Sequence, residues 1–155
     1  MAMQHTPLLM SKIIDRGAKV APHEEIVTAT ENGVRRQTYK ETRDRAHQLA
    51  HALAEAGIAI GDRVGTFMWN GSRHLEAYQA CAGMGAVLHT LNIRLSEKDL
   101  EYIINHAEDQ IIIVDADILP LLEKLEGKMP TVRQVVIATE ELSLIHISEP
   151  TRLRR

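Results

Sequence analysis

The chain is poor in aromatic residues, at 3% of 155, with one Phe and one Trp. Its interior must therefore be built from aliphatic side chains and Met. There is one cysteine, Cys81, so no disulfide can form within the chain. A lone cysteine among small helical residues suits a reducing compartment, and the cytoplasm is the expected location. Basic residues do not outnumber acidic ones: 18 Lys and Arg face 21 Asp and Glu, leaving a net charge of −3. With no basic patch interleaved with aromatics, nucleic acid is not an expected partner. No apolar run approaches the roughly 20 residues that a membrane-spanning helix needs. The first five residues, MAMQH, lack the basic-then-apolar order of a secretion signal. What is present, 45% hydrophobic and 25% charged residues, is the composition of a globular domain with a core of ordinary size.

Patterning predicts strands alternating with helices. Residues 8–17 read as a short amphipathic helix ending at Gly17. Two β-prone runs, 26–30 and 34–38, flank Glu31, Asn32 and Gly33, and Asn-Gly between such runs is a strong hairpin signal. Thr38 and Glu41 have the spacing of a capping box and open a helix over 39–56, closed by Gly57. A strand is predicted at 64–68, then a helix from 72 to about Gly83, rich in small side chains that imply close packing. Residues 86–90 read as a buried strand. Ser96 caps the next helix, with Asp99 at its third position and Leu95 placed to pack on Leu100. The continuous β-branched run 111–114 fits a strand covered on both faces. A helix over 118–125, interrupted by Pro120, and a strand over 132–138 complete the pattern. Such alternation predicts parallel βαβ units: an α/β fold with helices on both faces of an open sheet, preceded by a small β-hairpin.

The run from Arg73 to Asp115, with HLEAY, GMGAVLHT and IINHAED, resembles AMP-forming acyl-CoA synthetases of the adenylate-forming superfamily, fatty acid–CoA ligases most closely. The resemblance covers residues 8–138. It implies an incomplete N-terminal subdomain of the adenylate-forming fold, and an intact enzyme that uses ATP, Mg²⁺ and CoA on a medium- or long-chain fatty acid. In that chemistry the carboxylate attacks ATP to give an acyl-AMP and pyrophosphate, and the CoA thiol then displaces AMP. The family's Ser/Thr/Gly-rich phosphate loop ending in Lys-Gly is not in this sequence, nor are its downstream nucleotide contacts and late lysine. The chain alone is therefore expected to be inactive and to bind none of these cofactors well. A catalytic residue is not assigned. An aryl-CoA ligase or a peptide-synthetase adenylation domain keeps the same fold with another acid, and a stand-alone binding module is a third reading. Homo-oligomerisation is compatible with all three.

The end of the chain carries a second resemblance. Residues 142–152, LSLIHISEPTR, are similar to the in-frame translation of a sequencing adapter; the alternative is a native strand, since residues 144–147 partly alternate, followed by a polar end. The expectation is that 1–141 belong to the enzyme's large domain and that 142–155 are foreign and lie outside it.

Arg94 is the one candidate cofactor-binding residue. It follows the predicted strand at 86–90 and precedes a helix, on the side of an open α/β sheet where ligands bind. Guanidinium groups pair well with phosphate. By resemblance, the family's Asn-Pro-Arg-Leu segment places this arginine near the phosphates of CoA, with Ile93 standing here where Pro is usual. The alternative is a solvated arginine paired with Glu97 or Glu101, and both readings stand at this point. Other candidates are weaker. Gly83-Met-Gly85 follows a helix, whereas a dinucleotide fingerprint follows a strand. His47 and His51 share a helix face without a third metal ligand. His89 is expected to be hydrogen-bonded in the interior, and Arg73, His74 and Glu76 to support their own helix. Trp69, at a strand end, is expected to pack, with contact to an acyl group as the alternative.

Overall fold

The computed structural model describes residues 7, 9–30, 33–139 and 146–148. A hairpin, β1 (Glu25–Thr30) and β2 (Gly33–Thr38), stands apart from a five-stranded sheet of order β4 (Val87–Thr90), β3 (Arg63–Phe67), β5 (Ile111–Asp115), β6 (Gln134–Ala138) and β7 (His146–Ser148). In that sheet β3, β4, β5 and β6 are parallel. The helices between them are α3 (Ser72–Met84), α4 (Glu97–Ala107) and the short α5 (Leu119–Glu123). Two further helices, α1 (Ser11–Val20) and α2 (Tyr39–Glu55), flank the hairpin in sequence.

Strand periodicity explains the two cores. Side chains alternate between the faces of a strand. On β5, Ile111 and Ile113 join Leu53 of α2 and Ala77 and Cys81 of α3. Ile112 and Val114 point the other way, onto Leu100 and Ile104 of α4 and Leu122 of α5. The run 111–114 is buried throughout, as a strand covered on both sides requires.

Local chemistry sets the helix starts. The Thr38–Glu41 capping box is formed in both directions, and the Ser96 hydroxyl accepts from the Asp99 amide. Several expected boundaries move. Gly17 does not end α1, which runs on to Val20; the glycine instead admits the Tyr39 ring, 3.3 Å from where its Cβ would lie. Gly85, not Gly83, stops α3, in the left-handed region at φ 82°. Pro120 sits in the first turn of α5, where its missing N–H costs nothing, so it starts the helix rather than interrupting it. β4 is an edge strand and only partly buried, because its position in the sheet leaves one side open.

Glu31 and Asn32 of the hairpin turn, and Leu8, lie outside the described residues. Of the stretch expected to lie outside the domain, β7 (His146–Ser148) pairs antiparallel with β6, so for these three residues the backbone joins the sheet. The remainder, 142–145 and 149–155, is outside the described residues.

Candidate functional site

The chain leaves β3 in one direction, through α3 to β4, and leaves β5 in the other, through α5 to β6. The connections therefore diverge between β3 and β5, and open α/β sheets bind ligands beyond the C-terminal ends of such strands. A cleft of about 570 Å³ opens there. One wall is the hairpin, through Thr28 and Thr30; the others are the segment after β3, through Trp69 and Arg73, and the segment after β5, through Asp115 and Asp117.

Trp69 is half exposed and pinned at both ends. Its backbone N–H donates to Asp115 Oδ2 at 2.8 Å, and its indole N–H donates to Asp117 Oδ2 at 2.7 Å. Burial raises the Asp115 carboxyl above its ordinary range, an effect that the Trp69 N–H opposes, nearby Asp117 reinforces and Arg73 opposes. Trp69 is thus held by a polar contact at each end.

The hairpin is tied to α3 beside this cleft. The Ser72 N–H donates to Thr28 Oγ1 at 3.1 Å, and Gly71 permits that approach, with Thr28 Cγ2 3.2 Å from its absent Cβ. Deeper in, Glu76 Oε1 accepts from Gln37 of β2 and from Arg45 of α2, each at 2.7 Å. His74 is buried, with Nε2 3.0 Å from Thr66 Oγ1. Burial lowers its pKa, the Trp69 backbone opposing this, although Nδ1 makes no hydrogen bond among the described residues. His74 and Glu76 therefore bind neighbouring elements, where the sequence suggested support for their own helix.

Arg94 lies elsewhere on the same end of the sheet, in the loop 91–96 between β4 and α4. Its backbone N–H donates to Asn92 Oδ1 at 3.0 Å and its side chain is exposed. Neither expected carboxylate takes it among the described residues; Glu97 pairs with Lys124 Nζ at 3.1 Å instead. Ile93 packs against the core below α4, so the residue standing in place of Pro anchors the loop by burial. Arg94 does not line the cleft at β3 and β5. Gly85 ends a helix and Gly83 lies in its last turn, so the order is helix then glycine, not the strand then glycine of a dinucleotide fingerprint. His47 lies 3.6 Å from Asp15 on an exposed face, and no cluster able to hold a metal occurs among the described residues.

The model of the family described as AMP-binding enzyme matches residues 14–152. The chain belongs to that family. Within it, the chain is 43% identical over 140 residues to a long-chain-fatty-acid–CoA ligase of Thermus thermophilus, covering 90% of this chain and 26% of that protein. It is 42% identical over 136 residues to the 3-methylmercaptopropionyl-CoA ligase of Ruegeria pomeroyi, covering 87% and 25%. Among solved structures, a Mycobacterium tuberculosis fatty acyl CoA synthetase superposes with a TM-score of 0.76 at 24% identity, over 83% of this chain and 26% of that one. An anthranilate CoA ligase in complex with anthranoyl-AMP gives 0.74 at 23% identity, over 89% and 27%. These likenesses establish the fold, including the hairpin and parallel sheet. The chain spans about a quarter of the length of the curated relatives it matches.

The sequence did not single out Asp115, Asp117, Thr28 or the Glu76 network. Two carboxylates directly after a buried β-run were a readable signal, since such strand ends face the ligand side of a parallel sheet.

Proposed function

We propose that this chain is the N-terminal part of an AMP-forming fatty acid–CoA ligase that uses ATP, Mg²⁺ and CoA, and that it does not activate a carboxylate alone. The observation that carries this reading is the 43% identity over 140 residues to a long-chain-fatty-acid–CoA ligase. A medium-chain ligase of Ectopseudomonas oleovorans at 37% identity supports the same acid class. An aryl acid is the second reading, supported by a hydroxybenzoate–CoA ligase of Thauera aromatica at 31% identity. The test is thioester formation by the intact gene product. Octanoate or palmitate preferred over benzoate supports the first reading, and the reverse preference supports the second.

For CoA, the fitting group is Arg94. When bound, CoA supplies the thiol that receives the acyl group; the chain's own contribution is a cation for one of its phosphates. An exposed guanidinium without an ion pair among the described residues suits that role. The α4 N-terminus is a poorer anion site than its position suggests, because Glu97 and Asp99 already occupy its first turn. Charge-assisted hydrogen bonds are worth about 1.5–3 kcal/mol. Arg94→Ala in the intact ligase is therefore expected to raise the KM for CoA by roughly tenfold or more, with ATP–pyrophosphate exchange unchanged. An unchanged KM for CoA would remove Arg94 from the site.

A further inference from the structure

One ionisable pair built on a buried carboxylate has no part in the cleft. His89 lies on β4, paired in register with Gly65 of β3. Asp109 lies in the short link between α4 and β5. His89 Nδ1 stands 2.8 and 3.0 Å from the two carboxylate oxygens of Asp109. The carboxylate is fully buried, while a quarter of the imidazole is exposed. The contact passes over β3, and Gly65 leaves it room: a Cβ there would lie 3.1 Å from Asp109 Oδ2. The same link is tied to β3 by Arg63, whose Nε donates to the Ala107 carbonyl at 2.6 Å and whose guanidinium pairs with Glu108 at 2.7 Å.

These contacts close a ring. The loop 91–96 joins β4 to α4 covalently at one end of the helix, and Asp109–His89 joins them at the other. We infer that His89 and Asp109 are positioning residues for the loop that carries Arg94. By fixing strand and helix to each other, they fix where the loop can go. A buried carboxylate is costly unless paired, and an apolar contact would fill the space without direction. One Nδ1–H shared between the two carboxylate oxygens supplies that direction.

In this pair an imidazole that carries its proton on Nδ1 donates it to the Asp109 carboxylate. The charged groups around it are Arg63 on β3 and Glu108 in the link, already paired with each other. The importance of the tie for CoA rests on the reading of Arg94 above; the tie itself does not.

Hydrogen exchange on this chain tests it. In Asp109→Asn and His89→Gln, amides of residues 91–96 are expected to exchange at least tenfold faster, beyond any change in global stability measured by urea unfolding. The β5 amides should change only as much as global stability does. Loop exchange that rises only in proportion to lost stability would show a merely structural pair and overturn the inference. Should a variant not fold, exchange of the unmutated chain in low urea gives the same decision: the loop and the Asp109 amide opening together support the tie, and the loop opening first refutes it. An Arg94→Ala ligase with unchanged KM for CoA would instead remove only the functional reading.

Discussion

Arg45 and Glu76 meet across the α2–α3 interface, Nε to Oε1 at 2.7 Å, and their exposures are unequal: 30% for the arginine side chain and 6% for the glutamate. The inequality decides what each substitution does. Arg45→Ala strands a buried carboxylate with only Gln37 left as its donor, and is expected to cost about 2–3 kcal/mol. Glu76→Gln removes the charge and lets Arg45 turn to water, so it is expected to cost less than about 1 kcal/mol. Urea unfolding of both variants and of the double variant checks this. The double variant should be more stable than Arg45→Ala alone; equal costs for the two single changes would contradict the account.

The pinned indole gives an optical readout. Trp69 is the single tryptophan, so fluorescence reports on it alone. Asp117→Ala removes the acceptor of its Nε1–H. Emission should shift while global stability changes by less than about 1 kcal/mol, as for an exposed hydrogen bond. Unchanged emission would mean that Asp117 does not hold the ring.

Asp115 carries a pH signature. Its folded pKa is raised above the ordinary 3.8, chiefly by burial. For an acid raised in this way the folded state favours the protonated form, so its contribution to stability is fully present below 3.8 and is lost as pH rises through the folded value. Asp115→Asn keeps an oxygen acceptor for the Trp69 N–H and abolishes that loss. The variant should therefore gain on the unmutated chain between pH 4 and pH 7 in paired urea titrations. A difference that does not vary with pH would show that the carboxylate is not desolvated.

Cys81 is fully buried among core side chains, and burial pushes its thiol up to about 12. The thiolate is the reactive species. Cys81 should resist thiol reagents at pH 8 in the folded chain and react in urea at the rate of unfolding. Rapid labelling without denaturant would place it in an open part of the structure.

Much of this fold was legible because the decisive signals are local. The capping box at Thr38 and the β-branched run 111–114 each determine an element from neighbouring residues. Boundaries failed where a distant partner decides. Gly17 looks like a helix stop until Tyr39 is seen packed against it, and β4 looks buried until the strand order makes it an edge. The candidate site divided the same way. Arg94 could be read from its strand–loop–helix setting, whereas Trp69, Asp115 and Asp117 meet only because β3 and β5 are adjacent, a pairing across more than 40 residues.

ATP–pyrophosphate exchange with octanoate or palmitate measures carboxylate activation most directly. On the proposed function, the chain alone is expected to show no exchange above the buffer rate, and a full-length ligase containing it is expected to exchange readily with the same acids. Exchange catalysed by these 155 residues alone would contradict the claim that they are one part of the activating machinery.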